Sequence, residues 1–189
     1  GSTGGHIHRT TTYVEMLARE LKKRGLCSDE LTEDYIKNLV MAAPMHDIGK
    51  IAIPDAVLQK PGKLTAEEFE VMKTHSAKGG EIIEGTFKTI GDDEYSRIAY
   101  QVARYHHERW NGRGYPDRLM RKEIPLSARI MAVADVFDAV SAKRCYRDAM
   151  PLEKCFEIIE NGKGKDFDPV IAEVFLDMRD EIAAIVNNQ

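Results

Sequence analysis

MHDIGKIAIPD, running from Met45 to Asp55, sets His46 beside Asp47 directly after an apolar run and closes on Gly49-Lys50. Adjacent His and Asp make a poor pair for a hydrophobic core and an ordinary pair for a surface. They make a good pair of metal ligands, because imidazole nitrogen and carboxylate oxygen both suit first-row transition metals. Upstream, Thr32 with Asp34 starts a helix that carries Ile36, Leu39, Val40 and Ala43 on one side. If that helix continued, Asp47 would fall four residues later on the same side. Pro44 intervenes. Inside a helix, proline removes a hydrogen bond and kinks the axis at a cost of about 3 kcal/mol. A kink there re-aims the turn that carries His46.

The rest of the chain also reads as helix. Ile7, Thr10, Val14, Leu17, Ala18 and Leu21 share one face, and Gly25 stops that helix. Thr65 with Glu68 forms a capping box opening a helix toward His75, which Gly79-Gly80 is expected to weaken or bend. Residues 94–107 carry the stripe Ile98, Val102 and Tyr105. The segment 109–123 is a polar loop with turn signals at Asn111-Gly112, Gly114 and Pro116. A long apolar helix follows from Leu126 to Ala142, another starts at Pro151, and Asp168-Pro169 opens the last. No convincing strand alternation appears. The expectation is an all-α fold: a single helical domain of about seven or more helices with its site in the bundle core.

Bulk properties narrow the function. A chain of 189 residues suits one domain. A net charge of −4 gives no basic footprint for DNA. No apolar run is long enough to span a bilayer, so no membrane contact is expected of this domain. Cys27, Cys145 and Cys155 are an odd set without CxxC spacing, which argues against a disulfide framework and a zinc–thiolate site. A cytoplasmic setting is expected. Gly1-Ser2 reads as a cloning remnant, leaving residues 3–189 as the domain.

Asp47 and Asp135 lie in otherwise apolar stretches, LVMAAPMHDIGKI and RIMAVADVFDAV. A buried, unpaired carboxylate is costly. A metal removes that cost, and so would a salt bridge to Lys50 or Arg129. Any one histidine alone is more simply structural. Together, His46, Asp47, His75, His106, His107 and Asp135 offer four imidazoles and two carboxylates, placed on four helices. That mixture suits iron, manganese, nickel or zinc and is poor for calcium or magnesium alone. Six ligands exceed what one open catalytic ion needs, whereas two ions bridged by a carboxylate would use them. Adjacent His106 and His107 point about 100° apart on a helix, so both ligate only if the site sits over that turn.

HDIGK, IPD, KPGKLT, HHERWNGRGYP and IPLSARIMAVADVFDAV together resemble the HD-GYP branch of the HD phosphohydrolase superfamily, over about Gly4 to Leu176. His46-Asp47 matches the HD dyad and Gly114-Tyr115-Pro116 the GYP. The resemblance implies an all-helical fold and hydrolysis of the bacterial second messenger cyclic di-GMP, to pGpG or on to GMP. It implies two or three transition-metal ions, often iron or manganese. It assigns His46, Asp47, His75, His106, His107 and Asp135 as ligands, with Asp47 bridging. His75, His106 and His107 would hold one ion, and His46 with Asp135 the other. It puts Lys50 at the scissile phosphate, and Arg113, Tyr115, Arg144 and Tyr146 near the substrate. It also implies that the domain is the C-terminal part of a longer sensor or response regulator, with a regulatory or cyclase domain as a partner. Three-metal members resemble ETGxHxxR at the start, where this chain has STGGHIHR, Ser2 to Arg9. His6 matches the family histidine, but Ser2 stands in place of the glutamate. A two-metal site is therefore expected, with His6 either a further ligand or a spectator.

The mechanism this implies is attack by a metal-bridging hydroxide, its pKa lowered toward neutrality, with Lys50 offsetting charge on the phosphate. Trp110 or Tyr115 would stack on guanine, although packing within the loop explains them equally well. The alternatives are an HD phosphohydrolase for another cyclic dinucleotide or nucleotide, and a catalytically silent binding or interaction module.

Overall fold

A computed structural model describes residues 2–88, 93–142 and 150–188 of the chain. Among them every regular element is helical. The order is α1 (Ser2–Lys23), α2 (Glu33–Ala42), α3 (Asp55–Leu58), α4 (Ala66–Phe87), α5 (Glu94–Tyr105), α6 (Leu126–Ser141), α7 (Leu152–Gly162), α8 (Pro169–Asp177) and α9 (Arg179–Asn187). None of the described helices is long and apolar enough to cross a membrane.

The caps fall where the sequence puts them. The Thr65 hydroxyl accepts the Glu68 N–H, and the Glu68 carboxylate accepts the Thr65 N–H. Thr32 caps α2, and Asp168 accepts the N–H groups of Val170 and Ile171 at the head of α8. Such caps satisfy backbone donors that the first helical turn leaves free. The helix opened by Asp168-Pro169 is not the last, because α9 follows after a break at Met178.

α6 runs through the middle and is buried on nearly every side, which is why its sequence is apolar almost throughout. α1 lays Tyr13, Val14, Leu17, Ala18 and Leu21 against it. α7 and α8 close the far side, where Phe137 of α6 packs against Tyr13, Phe156 and Phe175 at centroid separations of 5.0–5.5 Å. α2, α4 and α5 form the opposite wall.

Two sequence expectations resolve differently from their simplest form. Pro44 does not merely kink α2. The α-helix ends at Ala42 and tightens into a 3-10 turn over Ala43–Met45, with Pro44 near its start. His46 and Asp47 then link this turn to a second one over Ile48–Ala52. The dyad therefore sits at a change of chain direction rather than along a helix. Gly79-Gly80, in turn, does not break α4, which runs on to Phe87. These glycines serve close packing. A Cβ built on Gly79 would meet the backbone of Gly49 at 3.3–3.5 Å, and one built on Gly80 would meet Tyr100 and Arg104 at 3.2 Å.

Gly49 is the tighter side of that contact. A Cβ built on it would lie 1.7 Å from the His75 carbonyl oxygen and 2.6 Å from the Gly79 nitrogen. Both are backbone atoms of α4, so no side chain can yield. Gly49→Ala should force the dyad turn away from α4 and destabilise the fold by about 1–3 kcal/mol, the usual range for overpacking. Denaturant unfolding measures this, and wild-type stability in the variant would contradict the packing described.

Candidate metal centre

The break after α2 turns His46 inward, where it is fully buried, and leaves Asp47 beside it with backbone φ −101° and ψ 15°. His75 arrives from the middle of α4, and Asp135 from the central helix α6. His106 is the last residue of the α5 turn system and His107 lies just beyond it. Helix termination answers the geometric problem of adjacent histidines, since the second is no longer bound to the helical 100° step. Their ring centroids are 4.1 Å apart.

Two ligand sets result. His75, His106 and His107 form one, and His6, His46, Asp47 and Asp135 form the other, with the ligating atoms of each set within 4.8 Å of one another. In the second set, His46 Nε2 lies 3.2 Å from Asp47 Oδ2 and 3.3 Å from Asp135 Oδ1. His6 Nε2 lies 3.3 Å from Asp135 Oδ1 and 3.6 Å from Asp47 Oδ2. The other oxygen of Asp47, Oδ1, is 3.5 Å from both His75 Nε2 and His106 Nε2. Asp47 thus gives one oxygen to each set. Ligand atoms about 2.1 Å from one ion lie about 3.0 Å apart in an octahedron and about 3.4 Å apart in a tetrahedron. The separations above match that spacing.

The imidazoles are aimed by their own chain. The Nδ1–H groups of His46, His75 and His106 donate to the carbonyls of Ala43, Met72 and Val102, at 2.7–2.8 Å. A carbonyl only accepts, so Nδ1 carries a proton in each ring and Nε2 is the nitrogen left to face the site. For His75 and His106 that Nε2 is buried without a hydrogen-bond partner. An orphaned buried acceptor is costly, and a divalent metal ion is the partner that fits it. The donor set, with nitrogen and carboxylate oxygen and no thiolate, suits such an ion.

Charge divides the two sets. Burial opposes protonation of His6 and His46, but the surrounding carboxylates outweigh it. Asp135, Asp138 and Asp47 push His6 up to about 11, and Asp135 with Asp47 pushes His46 up to about 10. Burial likewise opposes ionisation of Asp47 and Asp135, and the imidazoles reverse that, holding both far below the usual carboxylate range. Burial lowers His106, and burial together with the neighbouring His106 lowers His107 further, so both stay neutral near pH 7.

Of the other expected residues, Lys50 reaches the site, with Nζ 3.2 Å from Asp47 Oδ2 and its side chain 42% exposed. Tyr115 stacks on His107 with centroids 5.0 Å apart and planes at 21°. Its N–H donates to the His107 carbonyl. Arg113 is not brought to the histidines. It is exposed in a groove of about 610 Å³ between α4 and the loop, lined also by Lys73, Lys78 and Tyr115. Trp110 faces a cleft shared with Glu108, Arg129 and Phe167, so packing within the loop accounts for it. Arg129 pairs with Asp168 rather than with Asp135. His8 is exposed and outside both sets. Arg144 and Tyr146 lie outside the described residues, as does the side chain of Ser2.

Sequence reasoning passed over two residues, Asp138 and Glu108. Asp138, buried in α6, accepts from both His6 and Arg9. The signal was a second carboxylate three residues after Asp135 in the same apolar helix. Glu108, 1% exposed, accepts the N–H groups of Asp117 and Leu119 and so ties the loop beneath His107. Gly114 completes that tie, since a Cβ there would meet the backbone of His107, Glu108 and Arg109 at 2.4–2.5 Å.

Comparison with known proteins places this architecture. The HD domain family profile matches residues 4–171. The chain is 45% identical over 183 residues to a cyclic di-GMP phosphodiesterase of Vibrio cholerae serotype O1, covering 97% of this chain and 37% of that protein. It is 43% identical over 183 residues to the 3'3'-cGAMP-specific phosphodiesterase 2 of the same organism, covering 97% and 33%. The chain thus spans about a third of the length of these relatives. The crystal structure of a cyclic GMP-AMP specific phosphodiesterase of V. cholerae superposes with a TM-score of 0.65 at 19% identity, over 96% of this chain and 45% of that one, a likeness of fold.

The electrostatics predict how metal uptake depends on pH. His6 and His46 hold protons through neutral pH, and a metal ion at Nε2 must displace them. Uptake by their set should release about two protons and strengthen as pH rises toward 10, while uptake by the neutral His106–His107 set should depend on pH far less. Calorimetric titration of the metal-free chain in two buffers of different ionisation heat measures this. Equal proton release at both sets would contradict it.

Proposed function

This chain belongs to the HD domain family, and on that premise we propose that it is a metal-dependent phosphodiesterase of the HD-GYP branch that hydrolyses cyclic di-GMP to pGpG, GMP or both. The observation that carries this reading is Asp47, whose two carboxylate oxygens face two separate ligand sets 3.2–3.6 Å away. A carboxylate so placed suits a pair of ions a few ångströms apart, the arrangement used to cleave phosphodiesters in line. We assign His75, His106 and His107 to one ion, and His46, Asp135 and His6 to the other, with Asp47 shared. This nitrogen and oxygen set suits iron, manganese, nickel or zinc, and the family resemblance favours iron or manganese. When bound, such ions neutralise phosphate charge and activate water at neutral pH.

The chain's own residues supply the rest. Lys50, half-exposed beside Asp47, carries a fixed positive charge at the mouth of the site, where it stabilises negative charge building on the phosphate oxygens. Tyr115, stacked on His107, joins the loop to the ligand set and walls the substrate side. We assign Arg113, one turn of loop away, to the distal half of the dinucleotide. Arg144 and Tyr146 join this set through the family resemblance. A silent binding module would have no need for a complete ligand set, and all seven candidate ligands come together here.

A second substrate has specific support, because the relative named for 3'3'-cGAMP is nearly as similar as the one named for cyclic di-GMP. Both dinucleotides share the phosphodiester that the centre would cleave and differ in one base.

The test is hydrolysis of both dinucleotides by the chain loaded anaerobically with Fe(II) or Mn(II). Linear product is expected, cyclic di-GMP being the faster substrate. Asp47→Ala should lose metal and turnover together. Lys50→Ala should keep its metal and lose roughly 100- to 1000-fold in kcat, the usual cost of one transition-state charge contact. Turnover persisting in Asp47→Ala would remove the site assignment. A loaded chain that binds either dinucleotide without cleaving it would make this a receptor module.

A further inference from the structure

We propose that Asp138, braced by Arg9, is the positioning residue for His6, fixing Nε2 as its metal-facing nitrogen and making α1 a working part of the metal centre. The inference rests on the two-set centre proposed above. It begins with two facing pairs at helical i, i+3 spacing, His6 and Arg9 on α1 and Asp135 and Asp138 on α6. Asp138 Oδ2 lies 2.6 Å from His6 Nδ1, and Oδ1 accepts Arg9 Nε at 2.5 Å. The Asp138 side chain is only 2% exposed, so these partners replace its water. An ionised carboxylate only accepts, so His6 Nδ1 is the donor and the proton stays on that side of the ring. His6 Nε2 then faces Asp135, Asp47 and His46, at 3.3, 3.6 and 3.3 Å.

His6 differs here from the other histidines. His46, His75 and His106 are each oriented by a carbonyl three or four residues earlier in their own segment. His6 is oriented by a charged side chain on another helix. A carboxylate on the far nitrogen also makes an imidazole a stronger metal donor than a carbonyl does, and removing such a partner typically weakens metal binding by about 10- to 100-fold.

The plainer reading is that Asp138 and Arg9 form a buried ion pair tying α1 to α6, with His6 incidental. The geometry favours the positioning role. An arginine alone would engage both oxygens of the carboxylate in a symmetric fork. Here the second fork contact, Arg9 Nη2 to Oδ2, is long at 3.2 Å, and the same oxygen sits 2.6 Å from His6 Nδ1. The carboxylate is turned toward the imidazole.

Titrating the metal-free chain with Zn²⁺, together with ¹⁵N-edited spectra of the histidine rings, tests this. In the zinc-loaded wild type, His6 should be bound through Nε2, with a strongly deshielded Nδ1–H. In Asp138→Asn that proton should move upfield, and one of the two zinc ions should bind 10- to 100-fold more weakly while the other keeps its affinity. The retained ion also reports that the variant is folded. If Asp138→Asn does not fold, Arg9→Gln is read in the same way, because it leaves the carboxylate in place without its brace. A smaller, one-ion loss is expected there, restored by Arg9→Lys. Wild-type affinity at both ions in Asp138→Asn, or equal weakening of both in a folded variant, overturns the positioning role and leaves the two-ion centre standing. A wild-type chain that takes up no zinc overturns both.

Discussion

Two carboxylates, Asp47 and Asp135, stand inside a helical core, and most of the molecule's polar architecture answers that fact. Moving a carboxylate out of water is expensive unless charge and hydrogen bonds replace the solvent. In this chain the replacement comes from imidazoles on three sides and from Lys50 at the mouth. The histidines that compensate the carboxylates are also the ones whose lone pairs converge. A single arrangement therefore satisfies the metal-free protein, as partly protonated imidazole with carboxylate, and would equally satisfy a metal-loaded one, in which ions would replace the protons.

Much of this was legible because it is local. Helix caps at Thr32, Thr65 and Asp168 depend on residues within a turn, and the structure forms them as read. Carboxylates in apolar runs and histidines at helix ends are visible in any linear reading. Pairings across the fold were not. Asp138 reads as a stray acid until α1 is known to lie on α6, and the place of Arg113, in a groove beside α4, depends on how the loop folds. Gly79-Gly80 reads as a weak point by propensity alone. What decided its role was a backbone some thirty residues upstream. α9 was missed because the break at Met178 carries no glycine or proline to announce a new element.

The loop after His107 gains its shape from a small number of buried contacts. Glu108 accepts two backbone N–H groups of the loop, Gly114 permits the return strand to touch the chain at His107, and Tyr115 lies flat on the imidazole. The motif Gly-Tyr-Pro is therefore first an internal fastening of a ligand-bearing segment. Any contact its outer face makes with a substrate or another domain is built on a segment already held.

The aiming of His46, His75 and His106 by carbonyls of their own turns has an evolutionary consequence. Each ligand is oriented by backbone that any amino acid would provide. Side chains around these histidines are therefore free to drift without spoiling the direction of a single lone pair. Selection can rework the surroundings of these three rings while their arrangement is inherited unchanged.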